Sequence, residues 1–342
     1  MYNIPYHAEK DLSSTSFLVT GGAGFIGSSL VEYLLKFGAK SVKVLDNFST
    51  GSHQNLENFS FYSSFELIEG DIRNLADCKK AVEGVQIIFH EAALEFESQS
   101  IEETIITNDI NVNGFLNILV AAKDAGVKRI VYAASSSIYG DNEDLPNVEE
   151  KIGKPLSPYA ITKYVNELYA DVFHRLFGLE YIGLRYFNVF GPKQNLYVQN
   201  IGVIPKFISS LLSHQEPTIY GNGKNTRDFT FIENVVQANI IAALTNKSMA
   251  INQIYNVACG EQTSLNELAI LVRDQLTKID PIIAGLNFQY EKENGSVLAH
   301  SEASIIKAKH LLGYYPHFSL AEGISETIKQ YIDVSKSLLI SS

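Results

Sequence analysis

Residues 16–27 read Ser16-Phe17-Leu18-Val19-Thr20-Gly21-Gly22-Ala23-Gly24-Phe25-Ile26-Gly27, and this stretch decides the fold. A short apolar run leads into a glycine-rich turn, and an apolar-periodic stretch begins at Phe25. A strand, a glycine turn and a helix together hold a dinucleotide pyrophosphate at the helix N-terminus. Gly21 then permits the tight turn, Gly24 lets the backbone approach the phosphates, and Gly27 lets the helix lie close to the strand. A lone glycine triplet is weak evidence, so its interpretation depends on the residues that follow.

An acidic residue ends the next predicted strand. Residues 41–45 form a strand-like run, and Asp46 follows it, 19 residues after Gly27. A carboxylate at this place accepts both hydroxyls of an adenosine ribose and repels a 2′-phosphate, so it favours NAD over NADP. The alternative is an ordinary turn aspartate after a buried strand. Together with the glycines, Asp46 predicts an NAD site.

Strand-like runs alternate with amphipathic stretches along the first half of the chain. The predicted strands lie at 16–20, 41–46, 65–69, 85–90, 129–133 and 180–186. The predicted helices between them lie at 25–37, 74–82, 101–125 and 158–177. This alternation is typical of α/β proteins and predicts a Rossmann-type doubly wound parallel sheet with helices on both faces.

The pattern becomes irregular after Tyr186. Residues 253–258 read as one more strand, and helical periods return at 203–213, 232–246, 264–276, 303–312 and 319–335. Ligands bind outside the carboxyl ends of the strands in such sheets, so we expect the C-terminal part to cap that edge. The expected domains are an NAD-binding domain, residues 1–186 with about 228–258, and a smaller substrate-binding domain, residues 187–227 with about 259–342.

The bulk composition limits the classes of partner. The chain has 342 residues and a net charge of −11 without a Lys/Arg cluster, so we expect no nucleic-acid partner. Cys78 and Cys259 form no disulfide framework and suit a reducing cytoplasm. No uninterrupted apolar run reaches about 18 residues, so we expect no membrane span. Residues 1–15 do not resemble a signal peptide and are expected to run over the surface as a short leader. The eight histidines lack metal-ligand spacing, so we expect no metal.

Tyr159 and Lys163 stand four residues apart, on one face of a predicted helix. The lysine charge, together with a positive nicotinamide ring, stabilises tyrosinate and lowers the tyrosine pKa from about 10 toward neutrality, where it acts as a base. Ser157-Pro158 predicts a helix start that puts Tyr159 in the first turn. An ordinary surface pair is the alternative, because this spacing is common.

A serine-rich stretch follows the predicted strand at 129–131. It reads Tyr132-Ala133-Ala134-Ser135-Ser136-Ser137-Ile138-Tyr139-Gly140. A hydroxyl at the carboxyl end of a central strand points at the cofactor crevice, so Ser135 is a candidate to bridge a substrate hydroxyl to Tyr159. A serine-rich loop that caps a helix is the alternative.

The motifs together, in this order, resemble the extended short-chain dehydrogenase/reductase family over residues 17 to about 331. Within that family the chain looks most like the UDP-N-acetylglucosamine 4-epimerases. The resemblance is carried by Gly21-x-x-Gly24-x-x-Gly27, Asp46-Asn47-Phe48-Ser49-Thr50-Gly51, Gly70-Asp71-Ile72-Arg73, His90-Glu91-Ala92-Ala93, Ser135-Ser136-Ser137-x-Tyr139-Gly140, Tyr159-x-x-x-Lys163 and Arg185-Tyr186-Phe187-Asn188-Val189-Phe190-Gly191-Pro192.

The resemblance implies an NAD site in which Asp71 and Ile72 flank the adenine, Ala92 and Ala93 line the pyrophosphate side, and Asn113 lies behind the cofactor. The full implied set is Gly21, Gly24, Phe25, Ile26, Gly27, Asp46, Asn47, Ser49, Thr50, Gly51, Asp71, Ile72, Ala92, Ala93, Asn113, Ala133, Tyr159, Lys163, Tyr186 and Val189.

It also implies a UDP-sugar site. Asn188 contacts the phosphates, Val203 and Tyr220 bracket the uracil, and Arg227 pairs with the diphosphate. Ser301 lies near a position where a small residue admits an N-acetyl group. The implied substrate set is Ser135, Ser136, Ser137, Tyr159, Asn188, Val203, Lys206, Tyr220, Arg227 and Ser301. A salt bridge with Asp228 or Glu233 is the alternative for Arg227.

The implied reaction is redox-neutral 4-epimerisation of a UDP-hexose, either UDP-GlcNAc/UDP-GalNAc or their uronic acids. Tyr159 is the base, Lys163 its partner and Ser135 the proton bridge, while hydride passes from C4 to NAD and returns to the opposite face of a 4-keto sugar. Family 4,6-dehydratases carry Asp and Glu at the positions of Ser136 and Ser137, so dehydration is disfavoured. The resemblance further implies a homodimer through a four-helix bundle, with helices 101–125 and 158–177 as candidates.

Three departures from the family pattern lie on the substrate side. Segment 293–301 lacks the arginine that grips the diphosphate in family epimerases, a loss of about 1.5–3 kcal/mol. Glu95 and Glu97 replace small or basic residues, and residues 191–196 lack an aspartate–proline pair. Either the substrate differs, or UDP-sugar activity has been lost, or other cations compensate: Lys193, Lys206 and Arg227. Another nucleotide-sugar oxidoreductase and a cofactor-binding non-enzymatic homologue are therefore the alternatives.

Overall fold

The structure is a computed structural model that describes residues 2–7, 11–95, 97–194, 202–292 and 300–340, with side chains of the last helix described as far as Ile332. The strands in these ranges are β1 (Ser16–Thr20), β2 (Ser41–Asp46), β3 (Phe65–Glu69), β4 (Ile87–His90), β5 (Arg129–Ser135), β6 (Glu180–Tyr186), β7 (Val189–Phe190), β8 (Thr218–Tyr220), β9 (Thr226–Arg227), β10 (Thr230–Phe231), β11 (Gln253–Val257), β12 (Thr263–Ser264) and β13 (Gln289–Glu291). The α-helices are α1 (Phe25–Lys36), α2 (Leu75–Val82), α3 (Glu97–Glu102), α4 (Thr104–Asn108), α5 (Gly114–Ala125), α6 (Pro158–Phe177), α7 (Val203–Leu212), α8 (Ile232–Leu244), α9 (Leu265–Thr277) and α10 (Leu320–Ile340).

Seven strands form one sheet in the order β3-β2-β1-β4-β5-β6-β11, and every neighbouring pair is parallel. This arrangement confirms the prediction of a Rossmann-type α/β fold. The chain runs outward from β1 to β3 and then returns to β4 on the other side of β1. The strand order therefore reverses between β1 and β4, and such a reversal opens a crevice at the carboxyl ends of the strands.

Both faces of the sheet are buried. In β1, Phe17 and Val19 belong to one core cluster, whereas Leu18 belongs to a second cluster on the opposite face. Successive strand residues point to opposite faces, so a strand buried on both sides needs an unbroken apolar run. Helices α1 and α8 contribute to the first cluster, and α2 and α5 contribute to the second.

Two predicted helices differ from the observed ones. The predicted helix 101–125 is divided into α3, α4, a π-helical turn (Asp109–Asn113) and α5. The break after α3 has a local cause, because the Thr104 hydroxyl donates to the backbone oxygens of Ser100 (2.9 Å) and Ile101 (3.2 Å) and such bonds bend helices. The predicted helix 303–312 is helical from residue 306 onward and ends in the π-helix Ala308–Leu312, whereas Ala303 pairs in extended form with Asn147.

The described part of the leader is anchored rather than laid over the surface. Tyr2 and Leu12 are each only 1% exposed. The ring of Tyr6 stacks on Tyr33 at 5.6 Å, and its hydroxyl donates to the Glu233 carboxylate at 3.0 Å. Aromatic residues in a polar leader were the signal for this packing, because buried rings contribute large apolar areas.

Within the described ranges one helical stretch, Thr104–Ala125, is long and apolar enough to cross a membrane, judged by length and composition alone. Half of its apolar window is buried inside the fold. Core helices of soluble proteins meet the same criteria.

Candidate active site

A cleft of about 940 Å³ opens at the carboxyl ends of the strands, between the loops that follow β1 and β4. Its volume falls within the range of cofactor and small-molecule sites, about 300–1,000 Å³. The glycine turn after β1 forms one end, and Arg227 and Ser301 contribute to the substrate side. The cleft therefore joins the predicted NAD site to part of the predicted substrate site.

The glycine turn has the geometry that its sequence predicts. Gly21 has a φ of +69°, in the left-handed region that glycine adopts without strain. A β-carbon on Gly21 would lie 2.6 Å from the backbone nitrogen of Ala92, and one on Gly27 would lie 2.2 Å from the backbone oxygen of Gly21. Gly24 is the N-cap of α1, and the first N–H groups of a helix lack partners within the helix. These groups fit a pyrophosphate, because the cleft is lined there by Phe25, Ile26 and Gly27.

Two carboxylates, Asp46 and Asp71, line the cleft where the adenosine contacts are predicted. Asp46 accepts hydrogen bonds from the backbone nitrogens of Ala23 and Phe48, both at 2.8 Å. Burial raises the pKa of Asp46, and these two N–H groups oppose the rise. Asn47 donates to the carboxylate of Asp71 at 2.8 Å. Both carboxylates are thereby fixed beside the glycine turn, where the predicted ribose and adenine contacts lie.

Helix α6 places Tyr159 and Lys163 in the cleft. The Ser157 hydroxyl caps the helix by accepting from the backbone nitrogen of Ala160 at 3.1 Å, and Pro158 occupies the first turn. Tyr159 therefore lies at the start of the helix, as its sequence indicates. The Nζ atom of Lys163 lies 5.8 Å from the centre of the Tyr159 ring.

Burial dominates the electrostatics of this pair. Lys163 is 3% exposed, and burial lowers its pKa to about 8, although Glu91 and Glu95 oppose the fall. Burial likewise raises the pKa of Tyr159 above its ordinary value, with the Ser135 hydroxyl opposing and Glu95 adding to the rise. In the protein alone Tyr159 is therefore a neutral phenol. The fall in its pKa that the sequence predicts needs positive charge from outside the chain.

The end of β5 contacts both members of the pair. The Nζ atom of Lys163 donates to the backbone oxygen of Ala133 at 2.8 Å. The hydroxyl of Ser137 donates to that of Ser135 at 2.9 Å, and the backbone nitrogen of Ser137 donates to the same atom at 3.2 Å. Ser135 is thus held at the cleft with an acceptor role already in use.

The sequence interpretation missed Glu91. Its carboxylate accepts from the Tyr186 hydroxyl at 3.0 Å, and that hydroxyl accepts from Asn239 at 2.8 Å. Burial raises the pKa of Glu91 to about 7, while Tyr186 and Lys163 oppose the rise. A carboxylate directly after the buried strand β4 was the available signal, because buried carboxylates need partners.

The structure also separates two asparagines of one helical turn. Asn113, predicted to lie behind the cofactor, is exposed and donates to Asp109 at 2.8 Å. Asn111 is buried behind the cleft instead. It donates to the backbone oxygen of Leu94 (3.0 Å) and to the Thr162 hydroxyl (3.1 Å), and accepts from the backbone nitrogen of Leu94 (2.8 Å).

Most predicted site residues come together in the cleft. The predicted cofactor residues that line it are Gly21, Gly24, Phe25, Ile26, Gly27, Asp46, Asn47, Ser49, Thr50, Gly51, Asp71, Ile72, Ala92, Ala93, Ala133, Tyr159, Lys163, Tyr186 and Val189. The predicted substrate residues that line it are Ser135, Ser136, Ser137, Tyr159, Asn188, Arg227 and Ser301.

Three predicted substrate residues do not line this cleft. Val203 begins α7 and packs against the core, Lys206 is exposed on the same helix, and Tyr220 is half exposed on β8. Gly202, next to Val203, does line the cleft. Residues 195–201 lie outside the described part of the chain, so uracil contacts by Val203 and Tyr220 stay a prediction.

Among the described residues, carboxylates outnumber cations near Tyr159 and Lys163. Glu95 and Glu97 line the cleft, and burial raises the pKa of each. Arg227 opposes that rise for Glu97. Lys193 also lines the cleft, but its ammonium group is paired with Glu32 at 2.6 Å. Phe96 and residues 293–299, the core of the arginine-free segment, lie outside the described residues.

The comparisons with known proteins agree with this geometry. A model of the NAD dependent epimerase/dehydratase family matches residues 17–258. A putative UDP-glucose 4-epimerase of Methanocaldococcus jannaschii is 36% identical over 313 residues, which cover 91% of this chain and 96% of that relative.

Solved structures of nucleotide-sugar epimerases are similar to this chain in fold. A UDP-N-acetylglucosamine 4-epimerase from Methanobrevibacter ruminantium, in complex with UDP-N-acetylmuramic acid, has a TM-score of 0.86 and 34% identity, covering 94% of this chain and 99% of its own. A Thermus thermophilus UDP-glucose 4-epimerase in complex with NAD has a TM-score of 0.80 and 30% identity, covering 93% and 99%. The fold thus has counterparts in one protein solved with a nucleotide sugar and in another solved with NAD.

Proposed function

The chain belongs to the NAD-dependent epimerase/dehydratase family with NAD as its cofactor, and from this premise we propose that it catalyses the 4-epimerisation of a UDP-hexose. The observation that carries the proposal is the convergence of Ser135, Tyr159 and Lys163 in one cleft with the glycine turn and Arg227. A base, a cofactor site and a cation for phosphate are the three parts that this chemistry needs.

The chain's own residues supply proton transfer and positioning. NAD, which the glycine turn and Asp46 would hold, would supply reversible hydride transfer. Tyr159 takes the proton of the 4-hydroxyl and gives it back, and the Ser135 hydroxyl lies close enough to interact with the phenol. Lys163 stabilises the tyrosinate by its charge. Because the hydride must return to the opposite face, the cleft has to hold UDP firmly and the sugar loosely.

The charges near Tyr159 favour an N-acetylhexosamine over a uronic acid. Glu95 and Glu97 line the same cleft as Tyr159, and both raise the pKa of Tyr159 electrostatically. A sugar carboxylate about 5 Å from one of them is disfavoured by about 3 kcal/mol at an effective dielectric constant of about 20. We therefore place UDP-GlcNAc and UDP-GalNAc ahead of their uronic acids as substrates.

Dehydration is a poorer fit to the same cleft. Ser136 and Ser137 begin a short 3₁₀ helix after β5, and Ser137 already donates its hydroxyl hydrogen to Ser135. Neither hydroxyl ionises near neutral pH, so neither supplies the acid and base that elimination of water requires.

The proposed enzyme acts as a cytoplasmic homodimer. Helix α6 presents an apolar face on its outer side, formed by Ile161, Leu168, Val172 and Leu176, each at least 37% exposed. Ile101 of α3 and Ile105 and Ile106 of α4 add further exposed apolar surface. Contiguous exposed apolar surface of this kind marks interfaces, and two such helices from each subunit complete a four-helix bundle.

One experiment tests the proposed reaction. The purified protein is incubated with UDP-GlcNAc, UDP-GalNAc, UDP-glucose, UDP-galactose and the UDP-uronic acids, without added NAD, and the anomeric protons are followed by NMR. We expect interconversion of UDP-GlcNAc and UDP-GalNAc without net formation of NADH. A protein that carries NAD and converts none of these sugars would contradict the proposal, whereas net NADH would indicate a dehydrogenase.

A further inference from the structure

Asp228 follows Arg227 in the sequence, and its side chain is 0% exposed. Its carboxylate accepts hydrogen bonds from four backbone N–H groups of two distant segments. The donors are Cys259 (2.9 Å), Gly260 (2.9 Å), Glu261 (3.2 Å) and Ala303 (3.4 Å). The bond from Cys259 ends on Oδ1, and the other three end on Oδ2. One side chain thus ties the loop after β11 to the segment that carries Ser301.

The backbone of Asp228 also holds Asn188, which lines the cleft. Asn188 donates from its side chain to the backbone oxygen of Asp228 at 3.2 Å. In return, the backbone nitrogen of Thr230 donates to the backbone oxygen of Asn188 at 3.2 Å. Asn188 has a φ of +31°, a conformation that needs support from its surroundings. These two bonds supply that support where Asn188 lines the cleft.

Thr226, the residue before Arg227, holds Ser301, another residue of the cleft. The backbone nitrogen of Ser301 donates to the backbone oxygen of Thr226 at 3.1 Å, and the Thr226 hydroxyl is bonded to His300 at 2.9 Å. The guanidinium of Arg227 donates to the same Thr226 oxygen at 2.7 Å. Ser301 and Arg227 therefore share one backbone anchor.

Asn188, Arg227 and Ser301 form what we call the distal wall of the cleft. They come from three separate segments of the chain. The hydrogen bonds that support them are made by Asp228 and by Thr226, two residues earlier. We propose that Asp228 is a positioning residue whose carboxylate sets the geometry of the distal wall toward the diphosphate of a nucleotide sugar. This inference rests on the proposed function, since it takes the diphosphate as the group that the wall receives.

A carboxylate is required at this place, and not merely a polar side chain. Both of its oxygens accept hydrogen bonds, so N–H groups can approach from two sides. In Asp228→Asn the shape is kept, but one acceptor becomes an NH₂ group that faces N–H donors. The variant therefore loses bonds on one side of the network without opening a cavity. If Asp228→Asn fails to fold, Asp228→Ser is compared with the wild type in its place. This variant adds no NH₂ group and keeps one acceptor oxygen.

The test compares the full-length, NAD-loaded protein with Asp228→Asn by two measurements. Hydrogen exchange followed by mass spectrometry reports on residues 259–261 and 301–303, and calorimetry with UDP reports on the wall. The matched control is Asn252→Asp, which makes the reverse exchange of an NH₂ group for an oxygen. The side chain of Asn252 lies away from the cleft and accepts a hydrogen bond from the backbone nitrogen of Tyr181 at 3.0 Å.

We expect Asp228→Asn to accelerate exchange in both segments and to raise the Kd of UDP about tenfold or more, the effect of roughly one lost hydrogen bond to a charged group. The NAD content and the control should stay at wild-type values. Unchanged exchange would overturn the proposal, and so would faster exchange with an unchanged Kd. Absence of UDP binding by the wild type would instead contradict the proposed function. Titration with other nucleoside diphosphates would then measure the effect of Asp228→Asn on the distal wall.

Discussion

The backbone oxygen of Gly21 stands 2.2 Å from the point that a β-carbon on Gly27 would occupy. Gly27→Ala must therefore push the glycine turn away from α1 and displace the N–H groups that fit a pyrophosphate. We expect the NAD content of the purified variant to fall at least about tenfold, measured by release of the cofactor on denaturation. Gly285→Ala is the control, because nothing lies within 4 Å of a β-carbon there. A fully NAD-loaded Gly27→Ala protein would refute this reading of the turn.

Removal of the Tyr159 hydroxyl should abolish turnover and spare binding. We expect Tyr159→Phe to lower kcat by about 10²- to 10⁴-fold, the range for loss of a general base. The affinity for UDP should not change, because the phenol faces the sugar rather than the nucleotide. Tyr164→Phe, one residue beyond Lys163 on the same helix, serves as control. A variant that keeps more than a tenth of wild-type kcat would show that another group accepts the proton.

Lys163 should destabilise the fold while it serves the reaction. Its pKa falls from 10.5 to about 8 in the folded protein. The folded state thus holds this proton less tightly than the unfolded state, so the charge costs stability below about pH 8. That cost disappears as the pH rises from 8 to 10.5. In NAD-free protein at pH 7, Lys163→Met should raise the free energy of unfolding by up to about 3 kcal/mol.

Urea unfolding at pH 7 and pH 10 measures this effect. The gain should shrink at the higher pH, where Lys163 is neutral in the folded state, and activity should be lost at both. A variant that is less stable than wild type at pH 7 would mean that the bond to the Ala133 oxygen outweighs the cost of burying the charge.

Glu95 should discriminate against negatively charged sugars. Glu95→Gln removes the carboxylate that most strongly raises the pKa of Tyr159 among the nearby acids. The ratio of kcat/KM for UDP-glucuronate to that for UDP-GlcNAc should rise at least about tenfold, since a repulsion of about 3 kcal/mol is removed. Glu102→Gln, an exposed residue of α3, is the control. An unchanged ratio would place the Glu95 carboxylate away from the sugar.

The outer face of α6 should hold two subunits together. Leu168 is 51% exposed at the middle of that face. Leu168→Glu introduces a charge that the bundle would have to bury, so we expect a shift from dimer to monomer in light scattering coupled to size exclusion. Ile270→Glu, on the exposed surface of α9, should leave the mass unchanged. A wild-type protein that is already monomeric would eliminate the proposed bundle.

Local chemistry explains which elements could be predicted from the sequence. The bounds of β1 and β2 match their predictions because each apolar run is enclosed by turn-forming residues. The predicted helix 101–125 was wrong in its continuity, since Thr104 bonds to the preceding turn. The predicted helix at 303–312 begins three residues late, at 306, because Ala303 pairs with Asn147, a partner more than 150 residues away. No local pattern contains that pairing.

The same distinction applies to the cleft. Motifs made of neighbouring residues, such as the glycine turn and the Tyr159–Lys163 pair, could be assigned from spacing. Asn113 was predicted to lie behind the cofactor, but it is exposed, and the buried asparagine of the same π-helical turn is Asn111. Asp228 stood beside a predicted ligand, yet its four partners come from segments that only the fold brings together.

The buried phenol of Tyr159 also sets the order in which the protein becomes reactive. Without its cofactor the cleft would offer a sugar hydroxyl only a neutral phenol and no acceptor for a hydride, so the proposed reaction could not begin. A positively charged nicotinamide ring held beside Tyr159 would act with Lys163 to lower the pKa of the phenol, and it would also supply the hydride acceptor. A nucleotide sugar that arrives first therefore departs unchanged. The base and the hydride acceptor would therefore become available together, with the binding of one group.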